Sequence, residues 1–490
     1  MTRPNPVWKG LALFVAGAVF GVLAAYQIVP AGRAGTVAQP GNGGVTGPSG
    51  GDPTAGPLPT GSATSGPGSG PIGNGGVTTG GLQCARGRNG GATDKGVTAT
   101  SIRLATTVVR SGIGAAFLGD VQFAMDAVKN KVNRAGGICG RLLEIKYVDD
   151  AWRQDDGQRY IKNFVEQGYF AIPVGPSSEG LNAAIKTGVI GEAGIPVVGT
   201  DGMVISQYLD PWVWPVAVST ASSARIMAQQ ASKLGAKKFS IVFDSDYKFG
   251  KEAAKAFNAE VRRITGKDVP GYNPQLSCQR SFCGVIANKT SYTGEVERFE
   301  PGDIVAMFLE PKTALTWMAT TGAPTPKSVR AAGGVGVWGA QPLFTYDFEV
   351  SCQDACDQMW VWTGFKPPLE NYKLDAAVKT FVSDLKKTKR DADEYNAFSE
   401  GGYVGLQLLV AAMQRVGPRL TRAGVRQALD AMDFSSPLTL QPLLSWRSGN
   451  HFSNATMQAF EIQYKGSPAF WRAKTIASDP NPRQTAADAE

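Results

Sequence analysis

Two serines stand where an apolar run gives way to a helical pattern, in Gly175-Pro176-Ser177-Ser178-Glu179-Gly180. Hydroxyls and backbone N–H groups at a helix N-terminus are donors suited to a carboxylate. The same serines serve equally as ordinary caps of the helical stretch Leu181–Glu192. Glu310 follows the apolar run Ile304–Leu309, a position from which a carboxylate can meet an ammonium. An amino acid held in a cleft needs both kinds of group. Other chemistries have less to draw on. The chain has one histidine, His451, so a Ser-His-Asp hydrolase or a multi-histidine metal centre would have to rest on that residue alone. Its setting, Ser448-Gly449-Asn450-His451, reads as a surface hairpin turn. No nucleophile or metal motif accompanies it, so the chain reads as neither an enzyme nor a cofactor protein. Gly334–Gly339 fits G-x-G-x-x-G, but it coincides with a strand instead of preceding a helix, which removes its phosphate-binding meaning.

The elements that must position these groups begin at Ile102. From there to Val198 apolar runs alternate with helical patterns: Ile102–Thr107, Phe117–Arg134, Leu142–Val148, Gln158–Gln167, Ala171–Val174, Leu181–Glu192 and Ile195–Val198. Strands alternating with helices of this length imply right-handed crossovers onto a parallel sheet, and such sheets bind ligands at the carboxyl ends of their strands. A second series follows: helix Ser222–Leu234, strand Lys238–Phe243, helix Gly250–Thr265, strand Ile304–Leu309, helix Lys312–Thr320 and strand Val335–Trp338. Between them Val269–Pro301 shows no clear periodicity. Met359–Thr363 reads as a strand, then Leu374–Lys387, Ala397–Val416 and Arg422–Met432 as helices. Leu443–Trp446 and Met457–Tyr464 read as hairpin strands around the Ser448–His451 turn.

The 490 residues leave room for two or three domains, and the formal charge is +8. Lys and Arg are scattered; their densest cluster, Lys386 to Arg390, closes a helical pattern, where cations favour the helix dipole. A solvated helix end is preferred to a nucleic-acid patch. Near the N-terminus Arg3 and Lys9 precede an apolar run from Gly10 to Val29. About 20 apolar residues can span a bilayer, and positive charge before the run keeps the N-terminus in the cytoplasm. The run reads as an uncleaved anchor or as a signal peptide, since Val22-Leu23-Ala24 suits cleavage. Residues 31 to about 81 are Gly, Pro, Ser and Thr with little to bury, hence a disordered linker. About 50 such residues span about 40 Å. Six cysteines behind an export signal suggest disulfides; proximity pairs Cys84 with Cys139, Cys278 with Cys283, and Cys352 with Cys356.

Gly96-Val97-Thr98 leading into Ile102–Thr107, Asn133-Arg134-Ala135-Gly136-Gly137-Ile138-Cys139-Gly140-Arg141, Val148-Asp149-Asp150, Ala193-Gly194-Ile195-Pro196-Val197, Leu234-Gly235-Ala236-Lys237-Lys238 and Asp244-Ser245-Asp246-Tyr247-Lys248-Phe249-Gly250 form an ordered series. Together with the serine loop and the Tyr395–Gly417 helix, this series resembles the type 1 periplasmic binding proteins, within them the branched-chain amino-acid (leucine-binding) receptors of ABC transporters. The likeness runs from about Gly96 to about Trp471. It implies an α/β fold of two doubly wound parallel-sheet lobes joined by a three-segment hinge, with crossings at Trp212–Thr220, Gly339–Thr345 and Leu440–Ser445. The expected layout is an anchor or signal at 1–30, linker and lead-in at 31–95, first lobe at 96–215 and 341–442, second lobe at 216–340 with its C-terminal hairpin at 443–477, and a disordered tail at 478–490.

The resemblance implies ligand contacts from the Thr200-Asp201-Gly202 loop, aromatic residues at Phe117 and Phe249, and Gln341 where the family often carries an acid; Ser177, Ser178, Tyr247 and, toward an ammonium, Glu310 are the further candidates that the residues themselves suggest. Asp201 is an acid the family pattern lacks; it meets a cationic or hydroxylated ligand or caps a turn. The expected function is an extracytoplasmic receptor feeding a small solute, such as a branched-chain or related amino acid, to ABC permease subunits. It would be tethered to the membrane by its N-terminal helix or secreted, with no nucleic-acid partner and no cofactor. A ligand-sensing ectodomain is the alternative, which the absence of a cytoplasmic signalling domain disfavours.

Overall fold

The computed structural model describes residue 84 and residues 88–273, 275, 277–447, 450–465 and 470–489. The expected anchor and most of the expected linker lie outside them. Among the described residues no helix is long and apolar enough to cross a membrane.

Two sheets organise the chain. The first takes β1 (Ser101–Val108), β2 (Leu142–Asp149), β3 (Ile172–Pro173), β4 (Val197–Val198) and β5 (Val213–Trp214). β1 pairs parallel with β2, β3 with β4 and β4 with β5, and a parallel bridge from Leu104 to Ala171 joins the two groups. The order is therefore β2-β1-β3-β4-β5, with the winding reversed between β1 and β3. The second sheet has seven strands, adding β6 (Phe239–Asp244), β7 (Phe282–Val285), β8 (Ile304–Phe308), β9 (Gly336–Gly339), β10 (Trp360–Thr363), β13 (Thr456–Gln463) and β14 (Phe470–Ser478), in the order β14-β13-β10-β9-β8-β6-β7. β6 to β10 run parallel; β13 and β14 are antiparallel. β6 is buried at every position, as expected for a parallel strand covered on both faces. Here the winding reverses between β6 and β8. β11 (Asp433–Ser435) and β12 (Leu443–Ser445) form a separate antiparallel pair.

The helix Ala397–Val416 starts where Asn396 Oδ1 accepts from the N–H groups of Phe398 and Ser399, and it packs against the Val121–Arg134 helix on the first lobe. It crosses the end of β4 at the closest possible range. A Cβ built on Gly199 would lie 2.1 Å from Gly405 Cα, and one on Gly405 would lie 2.6 Å from Gly199 O. Three disulfides close as proximity suggests: Cys84–Cys139, Cys278–Cys283 and Cys352–Cys356.

Several expectations need correction. β10 stands between β9 and β13, so the expected first-lobe segment 341–442 gives its opening stretch to the second lobe. The chain returns to the first lobe only after Thr363. Accordingly the second crossing is not Gly339–Thr345 but the stretch around Gly364–Lys366, where Lys366 N donates to Leu438 O (2.9 Å) and Leu440 N to Gly364 O (3.1 Å). The third crossing is likewise not Leu440–Ser445, since Trp446 and His451 still pack beside β5, but the stretch near Asn454, which runs beside the first crossing: Val218 bridges to Asn454, and Asn454 Nδ2 donates to Val216 O. The two strands expected to form a hairpin around 448–451 do not pair with each other: β12 pairs with β11 and β13 with β14, and among the described residues only Arg447 and Asn450 bridge across the turn. β7 falls inside the stretch read as aperiodic. Residues 479–489, read as disordered, dock on the second lobe. Asp479 pairs with Arg225, and Gln484 Nε2 donates to Ser219 Oγ (3.0 Å) and Ser222 Oγ (3.1 Å).

His451 is 2 % exposed and not on the surface. Its Nδ1 meets Val213 O, and its ring stacks on Trp214. Burial lowers its pKa below the ordinary 6.5. The unfolded chain therefore takes up this proton first, so the contribution to stability is complete above about 6.5 and is lost as the pH falls below that value. His451→Gln removes the term. The gap in melting temperature between the parent protein and this variant is expected to shrink as the pH drops from about 8 to about 5; a gap that stays constant would assign the acid sensitivity elsewhere.

Candidate ligand-binding site

The expected site residues all follow the carboxyl ends of strands that flank the two winding reversals or lie one strand beyond them, the region where open α/β sheets bind ligands. Phe117 follows β1, Ser177 and Ser178 follow β3, and Thr200 to Gly202 follow β4. On the second lobe Tyr247 and Phe249 follow β6, Glu310 follows β8 and Gln341 follows β9. The lobes are closed on one another, and most of these side chains are buried between them.

An aromatic clasp spans the cleft. Trp152, from the loop after β2, stacks on Tyr247 at 4.3 Å and approaches Phe249 at 5.9 Å. On its own lobe it meets Phe117 edge-on at 5.3 Å, and Phe117 in turn contacts Phe398. The loop that presents Trp152 is under backbone strain: Ala151 and Trp152 have φ of 53° and 60°, a left-handed conformation costing about 1–2 kcal/mol per residue. Asp149 Oδ1 accepts from Ala151 N and Asp150 Oδ1 from Trp152 N, both at 3.0 Å, and these side chains hold the turn. Trp152 went unnoticed in the sequence; the signal available was a tryptophan directly after Val148-Asp149-Asp150.

Polar contacts ring the clasp. Lys248 N donates to Glu179 Oε1 (2.9 Å), and Ile205 N to Glu252 Oε2 (2.7 Å). Tyr346 N donates to Asp393 Oδ2 (2.9 Å), and the Tyr346 ring stacks on Tyr395. Each joins one lobe to the other.

The individual groups are committed in ways the sequence did not reveal. Ser177 leads into the Ser178–Lys186 helix, yet its side chain makes no capping bond. Ser178 Oγ accepts from Trp152 Nε1 at 3.2 Å. Thr200 Oγ1 donates to Gln207 Oε1 (2.6 Å), which also accepts from Gly202 N (3.0 Å). Glu310 spends its carboxylate on the N–H groups of Lys312 and Thr313, capping the Pro311–Ala319 helix. Its pKa is raised by burial, as is that of Asp244, which faces it. Gln341 Oε1 accepts from Gly364 N (3.3 Å). Two small cavities, of about 10 and 20 Å³, share Asp201, Gln341 and Phe398 in their walls; each has room for about one water. Burial, with Glu179 adding to it, pushes the Asp201 carboxyl up to about 7. Among the described residues no cluster of His, Cys, Asp and Glu is placed to hold a metal ion.

A two-lobed α/β fold with strand ends converging on a cleft is the architecture of proteins that close around a solute. The sequence profile described as "Periplasmic binding protein" matches residues 101–467, and the chain belongs to that family. Solved structures of similar fold include a solute-binding protein of an ABC transporter from Rhodopseudomonas palustris HaA2 in complex with p-hydroxybenzoic acid, with TM-score 0.63 and 15 % identity, covering 77 % of this chain and 97 % of that one. The branched-chain amino acid transporter substrate-binding protein LivJ from Streptococcus pneumoniae, in complex with isoleucine, has TM-score 0.59 and 16 % identity over 76 % of this chain and all of that one. A substrate-binding periplasmic protein from Ralstonia solanacearum has TM-score 0.61 and 17 % identity, again over 76 % of this chain. At these identities the likeness establishes the fold. No curated protein sequence matches the chain.

Proposed function

We propose that this protein is an extracytoplasmic receptor that closes two lobes on a small organic solute and presents it to an ABC permease. The observation that carries the reading is the cross-cleft clasp of Trp152 on Tyr247 and Phe249, ringed by Glu179–Lys248 and Ile205–Glu252 contacts. Such contacts form only when the lobes meet, so they couple solute capture to shape. Relatives of the same fold bind an amino acid and an aromatic acid, which supports a carboxyl- or amino-bearing solute here. Three disulfides fit an oxidising compartment.

Of the residues expected to touch the solute, Asp201 and Gln341 have the strongest support, since both line the cavities between the lobes. Phe117, Tyr247 and Phe249 act through the clasp. Ser177, Ser178, Thr200 and Gly202 stand at the first-lobe strand ends beside the clasp, although none of them lines either cavity. Glu310 is a weaker candidate for an ammonium partner, because its carboxylate is occupied by its own helix.

The test is a thermal-shift screen of the full chain against amino acids, amines and aromatic acids, followed by small-angle scattering with every hit. A solute at 100 times its dissociation constant adds about 2.7 kcal/mol, and the radius of gyration is expected to fall on binding. A stabilising solute that leaves the radius unchanged would overturn closure as the mechanism. A complete absence of both effects across the screen would remove the receptor reading.

A further inference from the structure

Asp201 is 7 % exposed, and its two carboxylate oxygens have unequal surroundings. Oδ1 accepts from Met203 N (3.1 Å) and Gln207 Nε2 (3.0 Å), while Oδ2 is buried with no hydrogen-bond partner. Ser223, 4 % exposed, lines the same cavity as Asp201, and its Oγ is likewise buried and unpartnered. Buried polar atoms without partners are rare in native folds, and an unpaired carboxylate is among the costliest. The other walls are largely apolar: Val121, Val174, Ala217 and the rings of Phe365 and Phe398. Neither cavity is lined by Lys, Arg or His.

Glu179 acts on Asp201 through its charge, and Asp201 and Glu252 both act on the buried Tyr208; Asp244 and Glu310 stand at the second-lobe strand ends. Lys248, paired with Glu252, and Lys251 act on Glu179 with the opposite charge, and Lys312 acts on Glu310. Neither cavity offers a basic side chain to a solute carboxylate. Ser178 Oγ already holds Trp152 Nε1, and neither Ser177 nor Ser178 lines either cavity.

We propose that the cleft selects a small cationic amine without an adjacent carboxylate, its ammonium received by Asp201 Oδ2 and Ser223 Oγ and its apolar body laid against Phe398 and Phe365. This rests on the receptor reading above and narrows it to one chemical class. The cavities are water-sized in the closed form, so the amine enters while the lobes are apart and widens the space as they close. Ion pairing requires the carboxylate form of Asp201, whose population rises through about pH 7. Between about pH 6 and about pH 8 that population grows about tenfold, and amine affinity rises with it.

The experiment is titration calorimetry on the full chain with ethylammonium, butylammonium, benzylammonium, L-leucine and benzoate, at about pH 6 and about pH 8. The amines are expected to bind at least about tenfold more tightly than leucine or benzoate, and about tenfold more tightly at the higher pH. Asp201→Asn, which is isosteric and removes an unpaired buried charge, is expected to weaken amine binding at least about 100-fold and to abolish its pH dependence without lowering the melting temperature. Ser223→Ala is expected to weaken it by about five- to tenfold. Leucine or benzoate binding as tightly as the amines, or amine binding unchanged in Asp201→Asn, would overturn the cation assignment and leave the receptor standing. Silence of all five probes also overturns it; the receptor falls only if the wider scattering screen is silent too.

Discussion

Trp152→Ala should leave the two lobes parted in solution. The side chain is 2 % exposed, and truncating a buried tryptophan costs about 3–5 kcal/mol of stability. The part that matters for function is smaller and separable. Its two partners across the cleft, Tyr247 and Phe249, are worth about 0.5–1.5 kcal/mol each beyond area burial. Losing both moves the balance between closed and open forms by about 1–3 kcal/mol, or roughly 5- to 150-fold toward open. Solute affinity should fall by about the same factor, because only the closed form completes the site. Trp152→Phe keeps a ring in the clasp but drops the bond to Ser178 Oγ, so it should recover most of the closure and lose the indole contact alone. Scattering on the variant with a saturating solute gives the direct measurement. A fall in the radius of gyration equal to that of the solute-bound parent protein would mean that the polar ring, not the clasp, holds the cleft shut.

The second large effect is expected at Arg422, far from the cleft. This residue is 6 % exposed and opens the Arg422–Ala431 helix. Its guanidinium donates to Phe170 O (3.0 Å), Ala193 O (2.9 Å) and Tyr169 O, and its backbone N–H to Asp94 Oδ2 (2.6 Å). These carbonyls belong to the segments that enter β3 and β4, the strands whose far ends carry Ser177 and Asp201. Arg422→Met fills a similar volume but strands three buried acceptors. Unsatisfied groups of this kind cost about 1–3 kcal/mol each, and with partial relaxation the loss should be about 3–5 kcal/mol. Arg422→Lys should recover little, since an ammonium lacks the planar fork that reaches three carbonyls at once. The urea midpoint measures the loss. Hydrogen exchange should locate it in residues 170–205, with the β6–β10 sheet still protected. A loss under about 1 kcal/mol would show that water replaces the guanidinium without penalty.

Much of this architecture could be read from the chain before any coordinates. Ser101–Val108 and Leu142–Asp149 alternate or run apolar over enough residues to be seen, and Ala397–Val416 is bounded by an asparagine cap and Gly417. Two disulfides followed from proximity because Cys278–Cys283 and Cys352–Cys356 close over 5 and 4 residues; Cys84 and Cys139, 55 residues apart, are the pair that remains. What failed did so for physical reasons. β10 is four residues long, and a strand that short says nothing about which sheet it joins; its partners, Trp338 and Phe460 among them, are set by tertiary packing. His451 looked exposed because its neighbours are Gly and Asn, yet Trp446 Nε1 donates to Pro215 O (2.8 Å) and pins that stretch against β5. Trp152 escaped notice because its importance lies in Tyr247, on another lobe and another element. Glu310 stands at the end of β8, but sequence order could not show that its carboxylate turns back onto its own helix. Asp201 was visible as an acid out of pattern; that one of its oxygens stays unpaired was not.

Gly199 and Gly405 close off a route of change that most packed positions keep open. When a side chain grows in a tight interface, trimming the residue opposite commonly restores the fit. Here the strand end and the helix already touch backbone to backbone, and glycine has nothing left to trim. A methyl added at either position can be accommodated only by moving the helix, and with it Phe398, away from the loop that carries Asp201. Drift at these two sites is therefore coupled to the shape of the cleft: any lineage that widened this contact would also be redrawing what its receptor can hold.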